Sequence, residues 1–318
     1  RRQADSGRQS GSAEVALPDK PISRWLGIAL LLVIATVFGA NHVAARVAMD
    51  HGANVTTAVA VRSGGTVIFV LALLLLGGVP LRLPRARLGG ALAIGALLAV
   101  QSYCLYSAVA LIPVALALLA FNTFPMLLAL MSWAAGGERP SPRALAAMPV
   151  ALAGLALALD VWGGSGAHFP GFAGRWAEIG AGVLWATGGA VSFALVLYLT
   201  SRWLKDMDGR LRTLYMMLAI VSLMLAGGAL AGDFALPRDG TGWAGLVLLT
   251  LFYASAITAL FVVLPRLGAV DNAMVLNFEP IAVLAIAWVV LDQSVTPLQI
   301  LGAFVVVGAI MALGSGRR

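Results

Sequence analysis

The sequence predicts an all-α membrane protein whose ten transmembrane helices form two inverted five-helix repeats (5+5), with both termini cytoplasmic. Three observations carry that expectation. The chain is 60% hydrophobic and only 11% charged, with a mean hydropathy of +0.93, whereas about a quarter of the residues of a soluble domain are charged. Its apolar residues gather into runs of about 20, the length a helix needs to cross the hydrocarbon layer. A motif of Asn, Pro and Trp returns 155 residues downstream of its first appearance.

The runs cover approximately 25–46, 55–77, 88–111, 114–136, 143–162, 175–200, 211–231, 242–264, 270–291 and 297–314. Residues 1–22 precede them as a polar, Gly/Ser-containing tail without periodicity, expected to be disordered and cytoplasmic. The first run is too long for the apolar region of a signal peptide, lacks a clean small-residue cleavage site, and belongs to a repeat that needs it. Pro80 and Pro84 separate the second run from the third, and Ile112-Pro113 turns the third into the fourth. Pro140 and Pro142 open the fifth, Gly163-Gly164-Ser165-Gly166 closes it, Pro237 precedes the eighth, and Pro297 opens the tenth. The first repeat is therefore 23–162, the inter-repeat loop 163–174, the second repeat 175–314 and the final tail 315–318. A transmembrane β-barrel would show alternating segments of about ten residues instead.

Positive charge sets the expected orientation. With the N-terminus cytoplasmic, 17 of the 21 Lys and Arg fall in cytoplasmic tails and loops, leaving Arg46, Arg62, Arg175 and Arg238 for the membrane or the far side. The net charge of +7 and the pI near 10.3 thereby follow from topology in a cell inner (plasma) membrane, and no nucleic-acid partner is implied. Cys104 is the only cysteine, so neither a disulfide framework nor a thiolate metal site is expected.

Shifting the chain by 155 residues aligns FNTFPMLLALMSWAAGGERPSP with LNFEPIAVLAIAWVVLDQSVTP. Asn122 falls on Asn277, Pro125 on Pro280, Trp133 on Trp288 and Pro142 on Pro297. A slightly different offset sets VFGA at 37–40 against LWAT at 184–187. Five spans per repeat is an odd number, so the second repeat enters the membrane from the opposite side. Inverted repeats of this kind are a signature of secondary transporters, whose two halves exchange inward-open and outward-open shapes around a site near the midplane.

The same residues carry a family resemblance. The first run has VFGANHVAARVAM, the second has an early arginine in AVAVRSGGTV, and the fourth ends in GGERPSP. The chain resembles the drug/metabolite transporter superfamily, specifically the EamA-type ten-helix exporters, over essentially all residues after 24. The resemblance implies a 5+5 inverted-repeat exporter of small metabolites such as amino acids or amphipathic drugs, with an exporter of aromatic amino acids as the leading subtype. In the ninth run the acidic turn residue of that pattern is replaced by LDQSVTP.

Polar side chains at spanning depth face a bundle interior or a water-filled cavity. The candidate substrate-binding residues are His42, Arg62, Tyr103, Tyr106, Ser107, Trp185, Tyr253, Asn277 and Glu279. On the third run Tyr103, Tyr106 and Ser107 share one face and Gln101 and Cys104 another; the tyrosine face suits a flat, partly polar solute. Each candidate also has an ordinary reading. His42 and Trp185, the latter beside Gly182, Gly188 and Gly189, suit packing as well as contact with a solute. Arg46 suits snorkelling to headgroups. Trp25, Trp176, Trp203 and Trp243, at helix ends, suit an interfacial belt.

Glu279 is the acid placed well inside the membrane, where it must be protonated, paired with Arg62 or another donor, or wetted. Pro280 cannot donate to the carbonyl of Leu276, and Pro125 cannot donate to that of Phe121, so both helices should kink. Asn122, Pro125, Asn277 and Pro280 are accordingly the candidate hinge. No Ser/His/Asp order, paired carboxylates, HExxH or phosphate-binding glycine loop is present. The expectation is a transporter without catalytic residues, metal or cofactor, a monomer contacting a small-molecule substrate and membrane lipid. A gated channel for small polar solutes, a carrier of nucleotide sugars or drugs, and a membrane-embedded transferase are the alternatives. Few formal charges and several tyrosines favour neutral or aromatic amino acids over phosphorylated solutes.

Overall fold

The computed structural model describes residues 24–137, 139–140, 142–160, 171–204, 207–267, 278–293 and 296–315. Among them lie α1 (Arg24–Asp50), α2 (Val55–Leu76), α3 (Arg85–Leu111), α4 (Val114–Phe121), α5 (Phe124–Ala134) and α6 (Pro142–Ala158). The second half holds α7 (Gly171–Trp203), α8 (Gly209–Ala231), α9 (Gly240–Leu267), α10 (Glu279–Leu291) and α11 (Pro297–Ser315). The described residues contain no strand. Seven stretches are long and apolar enough to cross a membrane, with α4 and α5 together making one of them, and Leu145–Ala158, Glu279–Leu291 and Pro297–Ala309 are shorter apolar helices.

Where the sequence predicts one kinked helix over 114–136, the structure has two. α4 stops at Phe121 and α5 starts at Phe124, with Pro125 at its second position. Proline has no N–H to continue the ladder and crowds the carbonyl four residues back. The side chains beside the break bond locally. Asn122 Nδ2 donates to Leu118 O at 2.8 Å, and Thr123 Oγ1 donates to Ala120 O at 2.8 Å. The amide thus serves Leu118, one turn before the break, rather than Phe121. α10 likewise starts at Glu279 with Pro280 second, so the two starts, 124 and 279, stand 155 residues apart. Asn277 lies outside the described residues.

Packing follows the repeat. α1 runs along α9 as α7 runs along α3, α3 meets α8 as α9 meets α2, and α1 leans on α10 as α7 leans on α4 and α5. The pairs α2 with α8, α6 with α11 and α4 with α10 map onto themselves. Exchanging the two halves therefore leaves these contacts between the halves unchanged. Small residues permit the close contacts. A Cβ at Gly245 of α9 would meet Ala44 O and Ala48 N of α1, each at 2.9 Å.

Loops group at two ends. Asn54 Nδ2 donates to Asp233 Oδ1 at 2.7 Å, and His51 Nδ1 lies 2.7 Å from Asp239 Oδ2. The Gly242 N–H and the His51 ring together hold the Asp239 carboxyl below its ordinary value. Val114 N donates to Gln293 Oε1 at 3.3 Å at the same end. Arg46, there too, donates to Asp50 Oδ1 and to Val109 O, both at 2.8 Å, so its charge closes the C-terminal end of α3. At the other end Tyr215 Oη donates to Leu81 O at 2.7 Å. Trp25, Trp176, Trp203 and Trp243 are all exposed, as interfacial belt residues are.

Candidate functional site

Five helices bring polar side chains together where α1, α2, α3, α9 and α10 meet. Gly39 is what lets α10 come close to α1: a Cβ there would stand 2.7 Å from Val283 Cγ2. Asn41 and His42 follow on the next turn of α1. His42 is eight residues from the end of α1 at Asp50 and Arg62 seven from the start of α2 at Val55, depths of about 12 and 10 Å at 1.5 Å per residue.

Arg62 is buried, at 4% exposure. Its guanidinium carbon lies 4.1 Å from the ring centroid of Tyr253 and 5.1 Å from that of Tyr106. One nitrogen donates to Ser102 Oγ at 3.0 Å, and that hydroxyl in turn donates to Gln101 Oε1 at 3.4 Å. The Nε of Arg62 is buried without a hydrogen-bond acceptor, and among the described residues no carboxylate lies within 4.0 Å of it. Two aromatic faces attract the cation. They do not replace a counter-ion, and a charge so placed retains strong demand for an anion.

Glu279 meets His42 rather than Arg62. His42 Nε2 stands 3.3 Å from Glu279 Oε1, and the histidine side chain is 9% exposed against 24% for the glutamate. His42 Nδ1 is buried and unpartnered. The imidazole packs 5.8 Å from the Tyr106 ring, centroid to centroid. Asn41 completes this side. Its amide is best satisfied with nitrogen toward Tyr106 Oη, 3.1 Å, and Leu249 O, 3.3 Å, while its oxygen accepts from the His42 backbone N–H at 3.3 Å. Phe38 stands edge-on to Tyr253 at 6.0 Å.

The cluster thus offers one cation without a counter-ion, one carboxylate with an imidazole behind it, and aromatic walls. Such a set complements the two ends of a zwitterion with an apolar body. His42, Arg62, Tyr106, Tyr253 and Glu279 are brought together. Tyr103 and Trp185 pair with each other instead, 5.9 Å apart and edge-on, on the α3–α7 seam where Trp185 is 40% exposed. Ser107 is buried in α3. The third helix therefore divides its tyrosines, because three residues of α-helix fall about 60° short of a full turn. Gln101, assigned by periodicity to the opposite face, reaches the site through Ser102. Asn41 and Ser102 have a single sequence signal, polarity at spanning depth. Among the described residues no His, Cys, Asp and Glu cluster could hold a metal ion.

Comparison with known proteins agrees with this architecture. The model of the EamA-like transporter family matches residues 25–159 and again residues 180–315. A search of curated proteins found no match. One solved crystal structure is 21% identical with a TM-score of 0.63, covering 93% of this chain and 100% of its own, a likeness that concerns the fold.

Proposed function

The chain belongs to the EamA-like transporter family, a small-molecule transporter family of the drug/metabolite superfamily, and from that premise we propose that it exports neutral or aromatic amino acids and related amphipathic compounds. The reading is a secondary transporter working by alternating access, with ten spans, two inverted repeats and cytoplasmic termini in the inner membrane. Arg62 carries it. A buried guanidinium between two tyrosine rings, with a free Nε and no carboxylate partner among the described residues, suits a substrate carboxylate. Tyr106, Tyr253 and Phe38 suit the flat apolar body. A nucleotide sugar would call for more basic groups facing its phosphates.

Counterflow into proteoliposomes loaded with unlabelled amino acids tests the reading. Labelled phenylalanine and other large apolar amino acids should accumulate against the unlabelled pool, and Arg62→Met should lose at least about tenfold in apparent affinity, the 1.5–3 kcal/mol of a charged hydrogen bond. Nucleotide sugars moving while every amino acid failed would overturn the substrate. Flux without stimulation from the trans side would make the protein a channel, because exchange requires a carrier.

A further inference from the structure

We propose that Arg46 and Gln293 form a lock that holds α1 and α10 against the turn between α3 and α4, and that its release opens the site toward this end of the bundle. The proposal rests on the alternating-access reading above and names contacts that must break. The turn itself supplies the reason. α3 ends at Leu111 and α4 begins at Val114, so the last carbonyls of one helix and the first N–H groups of the next have no partners within their own helices. Both kinds are met from other helices. Arg46 Nη1 donates to Val109 O at 2.8 Å, Ala110 O at 3.3 Å and Ile112 O at 3.4 Å, while its Nε donates to Asp50 Oδ1 at 2.8 Å. Gln293, two residues past the end of α10, accepts from Val114 N at 3.3 Å.

The lock joins two units that are each packed backbone to backbone. In one, α9 and α10 press onto α1: a Cβ at Gly245 would stand 2.9 Å from Ala44 O and Ala48 N, and one at Gly39 would stand 3.4 Å from Val283 N. In the other, α7 lies on α3, where a Cβ at Gly189 would stand 3.5 Å from Gln101 O and Leu105 N. Such seams leave little room to slide. The seam between α1 and α3 is the sparser one, and Arg46 bridges it one turn beyond His42. Water reaches the bridge, since the Arg46 and Asp50 side chains are 22% and 47% exposed. Each bond can therefore be exchanged for one to water without stranding a buried charge.

At the opposite end the counterpart of Arg46 is disengaged. Gly90 faces Trp203 and Leu204 as Gly245, 155 residues later, faces Val47 and Ala48. The same shift carries Arg46 to within one residue of Arg202. Arg202 is exposed and donates to Tyr198 Oη of its own helix, its guanidinium carbon 5.5 Å from that ring's centroid. A lock made at one end and unmade at the other is what inverted repeats require of a state open in one direction.

Spin labels at Leu111→Cys and Gly240→Cys, both exposed positions, report the separation of the two units by double electron–electron resonance in a Cys104→Ala background. Arg46→Met should raise the ratio of longer to shorter distances about tenfold, the worth of a charged hydrogen bond, and Gln293→Leu a few-fold. Arg46→Lys, which keeps a cation, should restore most of the shorter population. A second measurement separates a gate from a brace. In an Arg46→Cys/Ala110→Cys variant on the same background, a short bis-methanethiosulfonate reagent replaces the arginine's reach with a covalent bridge. Counterflow of labelled phenylalanine should then stop, and dithiothreitol should restore it.

Distances unchanged in both Arg46→Met and Gln293→Leu overturn the lock, as does counterflow that continues through the bridge. Failure of the parent protein to exchange phenylalanine overturns the amino-acid reading alone, because the spin-label distances need no substrate and decide the lock by themselves.

Discussion

Arg62 shows what a single residue must satisfy at this depth. Its charge is accommodated by the Tyr253 face at 4.1 Å, the Tyr106 face at 5.1 Å and the Ser102 hydroxyl at 3.0 Å. A cation over a desolvated ring gains about 2 kcal/mol, so the nearer ring is the stronger support. Tyr253→Leu should therefore weaken substrate binding several-fold and lower the thermal unfolding midpoint in detergent, because the guanidinium loses a face without gaining an anion. Tyr253→Phe, which keeps the ring, should stay near the parent on both measurements. Equal loss in the two variants would make the phenol, not the ring face, the operative group. None of this pairing is written at the residue level of the sequence. Polarity at spanning depth identifies Arg62, His42, Tyr106 and Glu279 as candidates, but which of them touch depends on the rotation of each helix about its axis. That is why Glu279 finds His42 rather than Arg62, and why Tyr103 turns to Trp185 while Tyr106 turns inward.

At the scale of elements the sequence is more legible. The apolar runs locate the helices to within a few residues except for the ninth, expected from 270, whose described helix starts at Glu279, since length and hydropathy decide what crosses lipid. A proline marks the break between α4 and α5, because a missing N–H acts locally whatever the tertiary context. α5 and α10 each begin one residue before their proline. What proline alone does not reveal is that the side chains beside the break bond back into α4, Asn122 to Leu118 O and Thr123 to Ala120 O. If these starts are the flexible joints of two moving half-helices, Pro280→Ala should rebuild a stiffer helix across the joint. Counterflow should slow several-fold with little change in the affinity for phenylalanine, and Pro125→Ala should do the same by symmetry. A variant that loses affinity and keeps its maximal rate would assign the proline to shaping the site instead of to motion. Glu279 has no counterpart in this comparison, since Phe124 holds the equivalent position, packed edge-on at 4.8 Å against Phe193. Asn122 of the repeated motif thus bonds the backbone, and the unrepeated Glu279 meets His42.

For the whole molecule, symmetry and charge answer different questions. The contacts between the two halves survive their exchange, and the hydrogen bonds gather 51–54, 112–113, 232–239 and 292–293 at one end and 77–84 with the start of α8 at the other. Geometry alone therefore says which loops share a side but not which side is cytoplasmic. The expectation from the sequence, with 17 of 21 Lys and Arg in the tails and loops taken as cytoplasmic, is that 77–84 faces the cytoplasm. Cys104 is the lone cysteine and is buried, so a Cys104→Ala background leaves a blank surface for labelling. Gly240→Cys, where a side chain meets nothing within 4 Å, should react with an impermeant maleimide added outside intact cells. Arg82→Cys, exposed in the opposite loop, should react only after the cells are opened. The reverse result would invert the orientation. Labelling of both from outside would break the alternation of ends, and with it the odd number of spans that makes the second repeat run opposite to the first.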